Sequence, residues 1–586
     1  LGWNAELSFF HDAASYPQGQ KSWHRILEQG ECVKLRESNL DKLEQRVFDV
    51  LIIGGGINGA VSAAALTGQG AQVALIDRGD FAGFTSQESS NLVWGGIKYL
   101  ESYEFGLVRK LCLSRNRLMR AYPSSVHEVR FFTTLARGFR KPRLLVWLGT
   151  WLYWLIGNMY TRRPRLLSPA DIAREEPAVR LDDSPGGFEY SDAFLADNDA
   201  RFVFNFVRSA INHGGIVANY VESMGATYGV DGIWECRARD VVEGRPLTIR
   251  ARVLLNAAGP YVDAHNEKTG ISTRFTHVFS RGIHLLVDRI TSARRVLTFF
   301  ADDGRLFFVI PMGVKSCVGT TDTREERLPP HVRPEDRAFV LENINKRLNL
   351  PRPLTEADII AERCGVRPLV LPRRGGDVGG EWTALSRKHE VDVDAAKKHI
   401  SIFGGKLTDC LNVGEEITAL VAQLGVSIPY RGHRWYGEPP DEVRDEFFHQ
   451  GRLMGLDDLT PAGAAEPLTT RLWRRYGESA LRLLEDIRAD PSMAEALIAG
   501  TEYIRGELYH AARREMIVKL DDFLRRRSKI ALVARRETMR DAPGLFEACR
   551  ILFGDEAEAK YMEYFHERPS AEVVRQSDHP GSPMGS

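Results

Sequence analysis

The sequence lacks any excess of charge of one sign. Lys plus Arg and Asp plus Glu both total 78, so nothing global marks a nucleic-acid ligand. It is also short of cysteine. Cys32, Cys112, Cys236, Cys317, Cys364, Cys410 and Cys549 are scattered, odd in number and never spaced C-x-x-C. That pattern fits a reducing compartment and argues against a zinc or Fe–S site, so no metal is expected. The N-terminal stretch is polar, without the apolar core of a signal peptide. No internal repeat is visible. The apolar run 144–160, LLVWLGTWLYWLIGNMY, is too short and too interrupted to span a bilayer comfortably.

What is present is a chain of 586 residues, enough for two or three domains with sizeable cores. It is organised around Phe48 to Lys98. Val50, Leu51, Ile52 and Ile53 form a short apolar run suited to a buried parallel strand. Gly54, Gly56 and Gly59 follow as G-x-G-x-x-G, then the small residues of a tightly packed helix (Ala60, Ser62, Ala63, Ala64, Ala65). Val73, Leu75 and Ile76 make a second strand that ends at Asp77. The first glycine permits the tight turn, the second lets backbone approach a pyrophosphate, and the third allows helix and strand to pack closely. The helix N-terminus offers free N–H groups to phosphates. Asp77 stands where a carboxylate can take ribose hydroxyls, and it argues against a 2′-phosphorylated nucleotide. The unit predicts a dinucleotide without choosing NAD or FAD.

Residues 1–46 read as a lead-in, with Leu40, Leu43 and Val47 on one face of a short helix. After Asp77 comes a hydroxyl cluster, Thr85, Ser86, Ser89 and Ser90, which is either a solvated turn before a helix or a set of hydroxyls wrapping a cofactor. Gly95-Gly96 then leaves room for a large group against the backbone. The 144–160 run has basic flanks (Arg140, Lys141, Arg143; Arg162, Arg163, Arg165) and many aromatic residues. It reads as a monotopic membrane contact, the alternative being a buried helix or subunit interface. SDAFLADNDARF predicts an acidic cap and an amphipathic helix burying Phe202, Phe206, Val207 and Ala210. The strand Val253 to Leu255 enters Asn256-Ala257-Ala258-Gly259-Pro260, small residues that suit a close-packed cofactor.

HVFSRGIHLLVD, RLFFVIPMG and SCVGTTDT read as strands of a substrate-side antiparallel sheet. HISIFGGKLTDCLNVGEEI repeats the opening logic of strand, Gly404-Gly405 and helix. Beyond about 430 Pro-rich connectors lead into helical segments. One of these sets Ile504, Leu508, Ala511, Met516, Leu520 and Phe523 opposite dense Arg and Lys, read as a solvated face with a weak contribution to membrane electrostatics. The tail from 567 is polar and is expected to be disordered.

DVLIIGGGINGA, TSQESSNLVWGGIKYLESYEF, LNAAGPYVD, and GVRPL followed by FGGKLTD occur in this order. Together they resemble the FAD-dependent glycerol-3-phosphate dehydrogenase family from about Phe48 to Glu567. The resemblance implies an α/β fold: an FAD-binding Rossmann-like domain of the glutathione-reductase/amino-acid-oxidase type, an antiparallel substrate-binding sheet and a helical C-terminal domain. The expected division is 1–46 lead-in, 47–430 FAD- and substrate-binding parts interleaved in sequence, 431–566 helical, and 567–586 tail.

The resemblance also implies oxidation of sn-glycerol 3-phosphate at C2 to dihydroxyacetone phosphate, with FAD as cofactor and electrons passing to membrane quinone. The protein would sit peripherally on the cytoplasmic side of the membrane, and a homodimer is compatible with it. The expected cofactor contacts are Gly54, Gly56, Asn58, Gly59, Asp77, Arg78, Thr85, Ser86, Ser90, Gly95, Gly96, Ala258, Gly259, Gly405, Lys406, Leu407 and Thr408. The catalytic candidates are His284, Arg367 and Lys406. The substrate candidates are Lys98, Tyr99, Arg367, Arg387, Lys406 and Thr408. Arg suits a phosphate because its fork is planar and permanently charged. His284 matches a family histidine and is the candidate base for the C2 hydroxyl proton.

Three positions depart from the family. Trp94 replaces a histidine and Lys98 an arginine in H-G-G-[LV]-R-Y-L, and Asp409 replaces a threonine in G-G-K-L-T-T. An acid beside a phosphate site repels it unless the acid is paired or turned away. Two other readings stay open: an FAD oxidoreductase of the same fold with a different hydroxy or amine substrate, and a flavin-binding scaffold of a membrane complex.

Overall fold

The computed structural model describes residues 35–136, 139, 141–182, 184–301, 304–373 and 388–566. Arg387, Cys32 and the 567–586 tail lie outside the described residues. The chain builds two sheets and a helical C-terminal part, and the sheets share sequence. One draws its strands from Val47–Ile53, Val73–Ile76, Ile216–Ala218, Pro246–Asn256, Glu390–Asp394 and His399–Phe403. The other takes its strands from between these, among them Val126–Thr134, Gly187–Leu195, Phe275–Asp288, Arg295–Phe300, Leu306–Met312, Lys315–Gly319 and Ala361–Pro372.

The first sheet is parallel at its centre. Val47–Ile53 pairs with Pro246–Asn256 on one side and Val73–Ile76 on the other. His399–Phe403 extends it in the same direction. Leu51, Ile52, Leu254 and Leu255 have no exposure at all, because helices and a side hairpin leave neither face wet. This is why the strands read as unbroken apolar runs rather than alternations. All the parallel strands run toward one edge, where Gly54, Asp77, Ala257 and Gly404 gather. Ligands of open α/β sheets bind at that edge.

In the second sheet the long strands Phe275–Asp288 and Ala361–Pro372 pair antiparallel, bringing Ser280 opposite Arg367 and His284 opposite Arg363. Leu285, Val287, Leu297, Phe307 and Val309 pack beneath it in one core with Val340 and Ile344 of the helix Pro334–Arg347.

The helix Ile57–Gly68 carries the run of small residues, all buried. Its third glycine, Gly59, packs so close that a Cβ there would strike the Gly54 carbonyl. Leu40 and Leu43 are buried on the helix Leu35–Glu44 as expected, but Val47 opens the first strand instead of extending that helical face. Phe202, Phe206, Val207 and Ala210 are buried on the helix Asp199–Asn212. The N-cap itself is Asn198, whose side chain accepts the Ala200 N–H at 2.7 Å, and the acidic Asp199 of the first turn accepts the same N–H at 3.0 Å.

The basic C-terminal segment departs most from its sequence reading. It is not one helix with a solvated charged side. The helix Arg505–Arg514 ends, and Asp522–Arg527 forms a π-helical turn in which Arg525, Arg526 and Arg527 are buried. Arg527 and Arg526 bind Asp80, and Arg525 binds Glu88. These guanidiniums enter the cofactor half of the molecule and are not presented to a membrane. Deeper in the same seam Arg475 meets Asp197 at 2.6 Å and Arg201 meets Glu515 at 2.7 Å.

The apolar run forms the helix Arg143–Ile156. Leu144, Leu145, Leu148, Leu152 and Leu155 are 42–57% exposed along it. No helix among the described residues is long and apolar enough to cross a membrane.

Candidate active site

A cavity of about 560 Å³ opens at the strand ends of the parallel sheet. Gly54, Gly56, Asn58, Asp77 and Arg78 line its first side, Thr85 and Ser86 its rim, and Ala258, Gly259 and Gly405 its far wall. The glycines are there for conformation and space. Gly54 has φ +102°, and a Cβ on it would sit 2.6 Å from the Ala257 carbonyl oxygen. Gly56 heads the helix, and Asn58 donates to the Gly404 carbonyl at 2.9 Å, tying the two glycine turns together.

Asp77 accepts the Gly55 N–H at 2.6 Å and the Gly79 N–H at 2.8 Å. Burial lifts its pKa to about 6 against the pull of those two N–H groups, so at neutral pH a carboxylate faces the cavity. Arg78 lies 3.8 Å over the Tyr261 ring, and Tyr261 packs edge-on against Phe84. The buried Thr85 hydroxyl, at the cavity wall, has no protein partner. An elongated dinucleotide suits this site: a helix N-terminus with a glycine turn for the pyrophosphate, a carboxylate for ribose, and an orphan hydroxyl.

Other predicted cofactor residues do not line this cavity. Gly59 serves packing. Ser90, Gly95, Gly96, Lys406, Leu407 and Thr408 stand off its wall. Gly95 and Gly96 are both buried, and a Cβ on Gly95 would strike the Tyr153 hydroxyl. The Gly95 N–H instead donates to Asp192 at 3.0 Å. Tyr261, Asp80, Glu222, Ser223 and His265 line the cavity without having been singled out in the sequence. Tyr261 and Asp80 carried a local signal, an aromatic after Gly259-Pro260 and a second acid after Asp77. The other three come from a strand and a helix with no signature.

Two of the substrate candidates adjoin cavity-lining residues in the chain, Pro368 and Gly405. Arg367 precedes the first and Lys406 follows the second. Arg367 donates to the Thr320 hydroxyl at 2.9 Å and the Thr321 carbonyl at 3.1 Å, and lies 3.4 Å from Asp322. Its guanidinium lies across Gly282, where any Cβ would strike it. Lys406 donates to the Tyr99 hydroxyl at 2.7 Å, with its ammonium 4.1 Å over that ring. Thr408 donates to the Trp94 carbonyl at 3.2 Å. Lys98 is exposed on a short 3₁₀ turn, Ile97–Leu100.

His284 is buried, and neither ring nitrogen has a protein partner. Burial, then Arg367 and Arg363, push its pKa down to about 3. It is therefore a neutral imidazole with an open lone pair.

The departures from the family motif have structural answers. Trp94 donates its indole N–H to the Tyr190 hydroxyl at 3.3 Å. Asp409 is paired and turned away from the cavity: Lys110 and His389 each lie 3.0 Å from it.

Residues 49–391 match the family profile of the FAD dependent oxidoreductases, and residues 373–558 match the C-terminal domain of alpha-glycerophosphate oxidase. The chain is 30% identical over 503 residues to a glycerol-3-phosphate dehydrogenase of Pseudomonas aeruginosa, covering 83% of this chain and 92% of that one. The chain belongs to the FAD-dependent glycerol-3-phosphate dehydrogenase family. Glycerol-3-phosphate dehydrogenase 2 of Mycobacterium bovis is 29% identical over 553 residues, 92% of this chain and 90% of that one. Among solved structures, the Bacillus halodurans glycerol-3-phosphate dehydrogenase complexed with FAD shares the fold, with a TM-score of 0.68 at 23% identity over 91% of this chain and 96% of that one. The expected family and fold class are thereby borne out, and so is FAD as the cofactor.

Proposed function

We propose that the protein oxidises sn-glycerol 3-phosphate to dihydroxyacetone phosphate with FAD as its cofactor. What supports this is two fixed cations that adjoin cavity-lining residues in the chain: Arg367, next to Pro368 and held across Gly282, and Lys406, next to Gly405 and held over Tyr99. A phosphate ester needs such a cation, and a planar guanidinium on a rigid strand suits it best.

FAD, when bound, supplies the acceptor for the hydride that leaves C2. The chain's own residues do the rest. Gly54 and the helix N-terminus at Gly56 take the pyrophosphate, and Asp77 takes ribose hydroxyls. Arg367 fixes the phosphate and so sets the distance of C2 from the reacting edge. His284 accepts the proton of the C2 hydroxyl. Burial first, and then Arg367 and Arg363, keep its basicity low. A phosphate dianion on Arg367 offsets that cationic field and raises it, so the base becomes competent when the substrate is in place.

The finer reading places the protein peripherally on the cytoplasmic side of a membrane, seated by the leucine face of Arg143–Ile156 and delivering electrons to quinone, with a homodimer compatible with that seating. An apolar helix with five half-exposed leucines and basic flanks supports the first part.

The deciding experiment is anaerobic addition of glycerol 3-phosphate to the purified holoenzyme. Bleaching of the flavin absorbance is expected, followed by recovery with a quinone analogue. No bleaching overturns the substrate. Bleaching by another hydroxy or amine compound would point to a pocket reshaped by Trp94 and Lys98, and bound FAD with no turnover on any substrate would point to a scaffold.

A further inference from the structure

The turn that carries Lys406 is anchored by a cluster the catalytic reading does not use. Asp409 closes this turn and heads the helix Cys410–Gln423. Its backbone N–H donates to the Lys406 carbonyl at 3.0 Å, so the two residues move together. The Asp409 side chain does not cap its own helix. It accepts from the Asn412 side chain of that helix at 2.5 Å and otherwise turns to Lys110 and Ser114 of the helix Phe105–Ala121, each at 3.0 Å, and to His389 at 3.0 Å.

His389, beside the edge strand Glu390–Asp394, completes the cluster. Its Nδ1 lies 3.0 Å from Asp409 as an ion-pair contact without the alignment of a hydrogen bond, and its Nε2 lies 2.8 Å from Glu416, two turns further along the same helix. The imidazole is almost wholly covered, at 3% side-chain exposure. A neutral imidazole carries one N–H and one lone pair, and here a lone pair on either nitrogen would face a carboxylate. The doubly protonated ring removes that opposition at both nitrogens.

We propose that His389, as an imidazolium bridging Asp409 and Glu416, is a positioning residue that holds the Gly404–Asp409 turn, and with it Lys406 and Thr408, in register for the substrate. This rests on the glycerol-phosphate reading of the site and adds to it a residue that touches neither substrate nor cofactor. The charged groups facing the ring are Asp409 and Glu416 from the helix, Lys110 from Phe105–Ala121, and the Lys388–Glu390 pair on its own strand at 3.5 Å. Burial works to lower the ring's pKa, but the carboxylates of Asp409 and Glu416 outweigh it and hold it above the ordinary 6.5. The lock is therefore closed below that raised pKa and opens as pH rises through it.

When the proton leaves, the Nδ1 lone pair opposes Asp409, and of the cations only the half-exposed Lys110 still holds that carboxylate. The turn loosens, and Lys406 loses its fixed place over Tyr99. KM should suffer more than kcat, because saturating substrate draws the turn back.

The test compares the wild-type holoenzyme with His389→Gln and, as an independent removal of the same link, Asp409→Thr. Steady-state turnover of glycerol 3-phosphate with a quinone analogue is followed from pH 6 to 10, alongside the flavin absorption spectrum without substrate. In the wild type kcat/KM should fall on an alkaline limb through KM, with a matching pH-dependent flavin shift. Both variants should keep FAD, raise KM several-fold at pH 7, and lose the limb and the shift. A variant that retains the wild-type limb and shift overturns the proposal, as does an unchanged KM. If the wild type itself does not turn over, the substrate reading fails, and the flavin titration alone decides the role of His389.

Discussion

Tyr153 donates its hydroxyl to Asp192 at 2.7 Å, and that same carboxylate accepts the Gly95 N–H. The first residue belongs to the helix whose leucines face outward. The last stands one peptide from Trp94, whose carbonyl holds Thr408.

Tyr153→Phe removes a donor from a fully buried carboxylate. Hydrogen bonds to charged groups contribute about 1.5–3 kcal/mol, so a loss of that size is expected in denaturant unfolding, with FAD retained. A variant as stable as the parent would show that Arg115 and Gly95 satisfy Asp192 without the tyrosine.

Gly54→Ala and Gly56→Ala should differ. The first puts a side chain at positive φ and 2.6 Å from the Ala257 carbonyl oxygen, a steric cost at the fold itself. The second meets only the Ser86 hydroxyl, at 3.2 Å. Gly54→Ala should yield little folded protein, whereas Gly56→Ala should fold with weakened flavin retention. Flavin absorbance per mole of folded protein separates the two outcomes.

Arg367→Ala should raise KM for glycerol 3-phosphate by about a hundredfold, equivalent to ~3 kcal/mol, while FAD stays bound. Arg367→Lys should recover part of this, since it keeps the charge and loses the fork. An unchanged KM would remove Arg367 from the phosphate site.

Paired Leu148→Asp and Leu152→Asp substitutions place charge on the exposed apolar face of Arg143–Ile156. They should shift the protein from the membrane fraction to the soluble fraction and abolish co-sedimentation with lipid vesicles. Turnover of a water-soluble quinone analogue should persist. Equal sedimentation of parent and variant would assign that face to a protein contact.

Asp80 sits in the seam between the cofactor part and the C-terminal helices. Burial works to raise its pKa, but Arg527 and Arg526 outweigh it and hold it below the ordinary 3.8. Its stabilisation is therefore complete above that value and is lost as pH falls below it. Asp522 beside it is shifted the other way by burial and by Asp80, which softens the slope without reversing it. Asp80→Ala leaves two buried guanidiniums short of a partner and should cost about 3–5 kcal/mol. Denaturant unfolding from pH 7 to pH 3 should show a steeper acid loss in the parent than in the variant.

Much of the fold was legible because its signals are local. Gly54, Gly56 and Gly59 with their flanking strands announce a dinucleotide unit within thirty residues, and the apolar run Leu254–Leu255 into Ala257 marks a second sheet strand in the same way. The Arg525–Arg527 run was misread because its partners Asp80 and Glu88 lie more than 430 residues away, and a charge reads as solvated until its counter-ion is known. His389 was missed for the same reason. Its meaning depends on Asp409 and Glu416, which meet it only through the pairing of strand and helix. His284 was found by motif, but its depressed basicity was not, since that comes first from burial in the folded sheet and then from Arg367 and Arg363 on a neighbouring strand.

The buried arginines of the π-helical turn also order events during synthesis. Asp80 lines the cofactor cavity, and Asp80, Glu88 and Asp197 are all made early, while their counter-ions Arg525 to Arg527 and Arg475 belong to the last fifth of the described chain. A nascent chain that has completed its glycine turn still holds these carboxylates uncompensated. The ion pairs behind this part of the cavity wall are complete only when the C-terminal helices are in place, so a chain truncated before Arg525 is expected to retain flavin less well than the parent, as flavin absorbance per mole of folded protein would show.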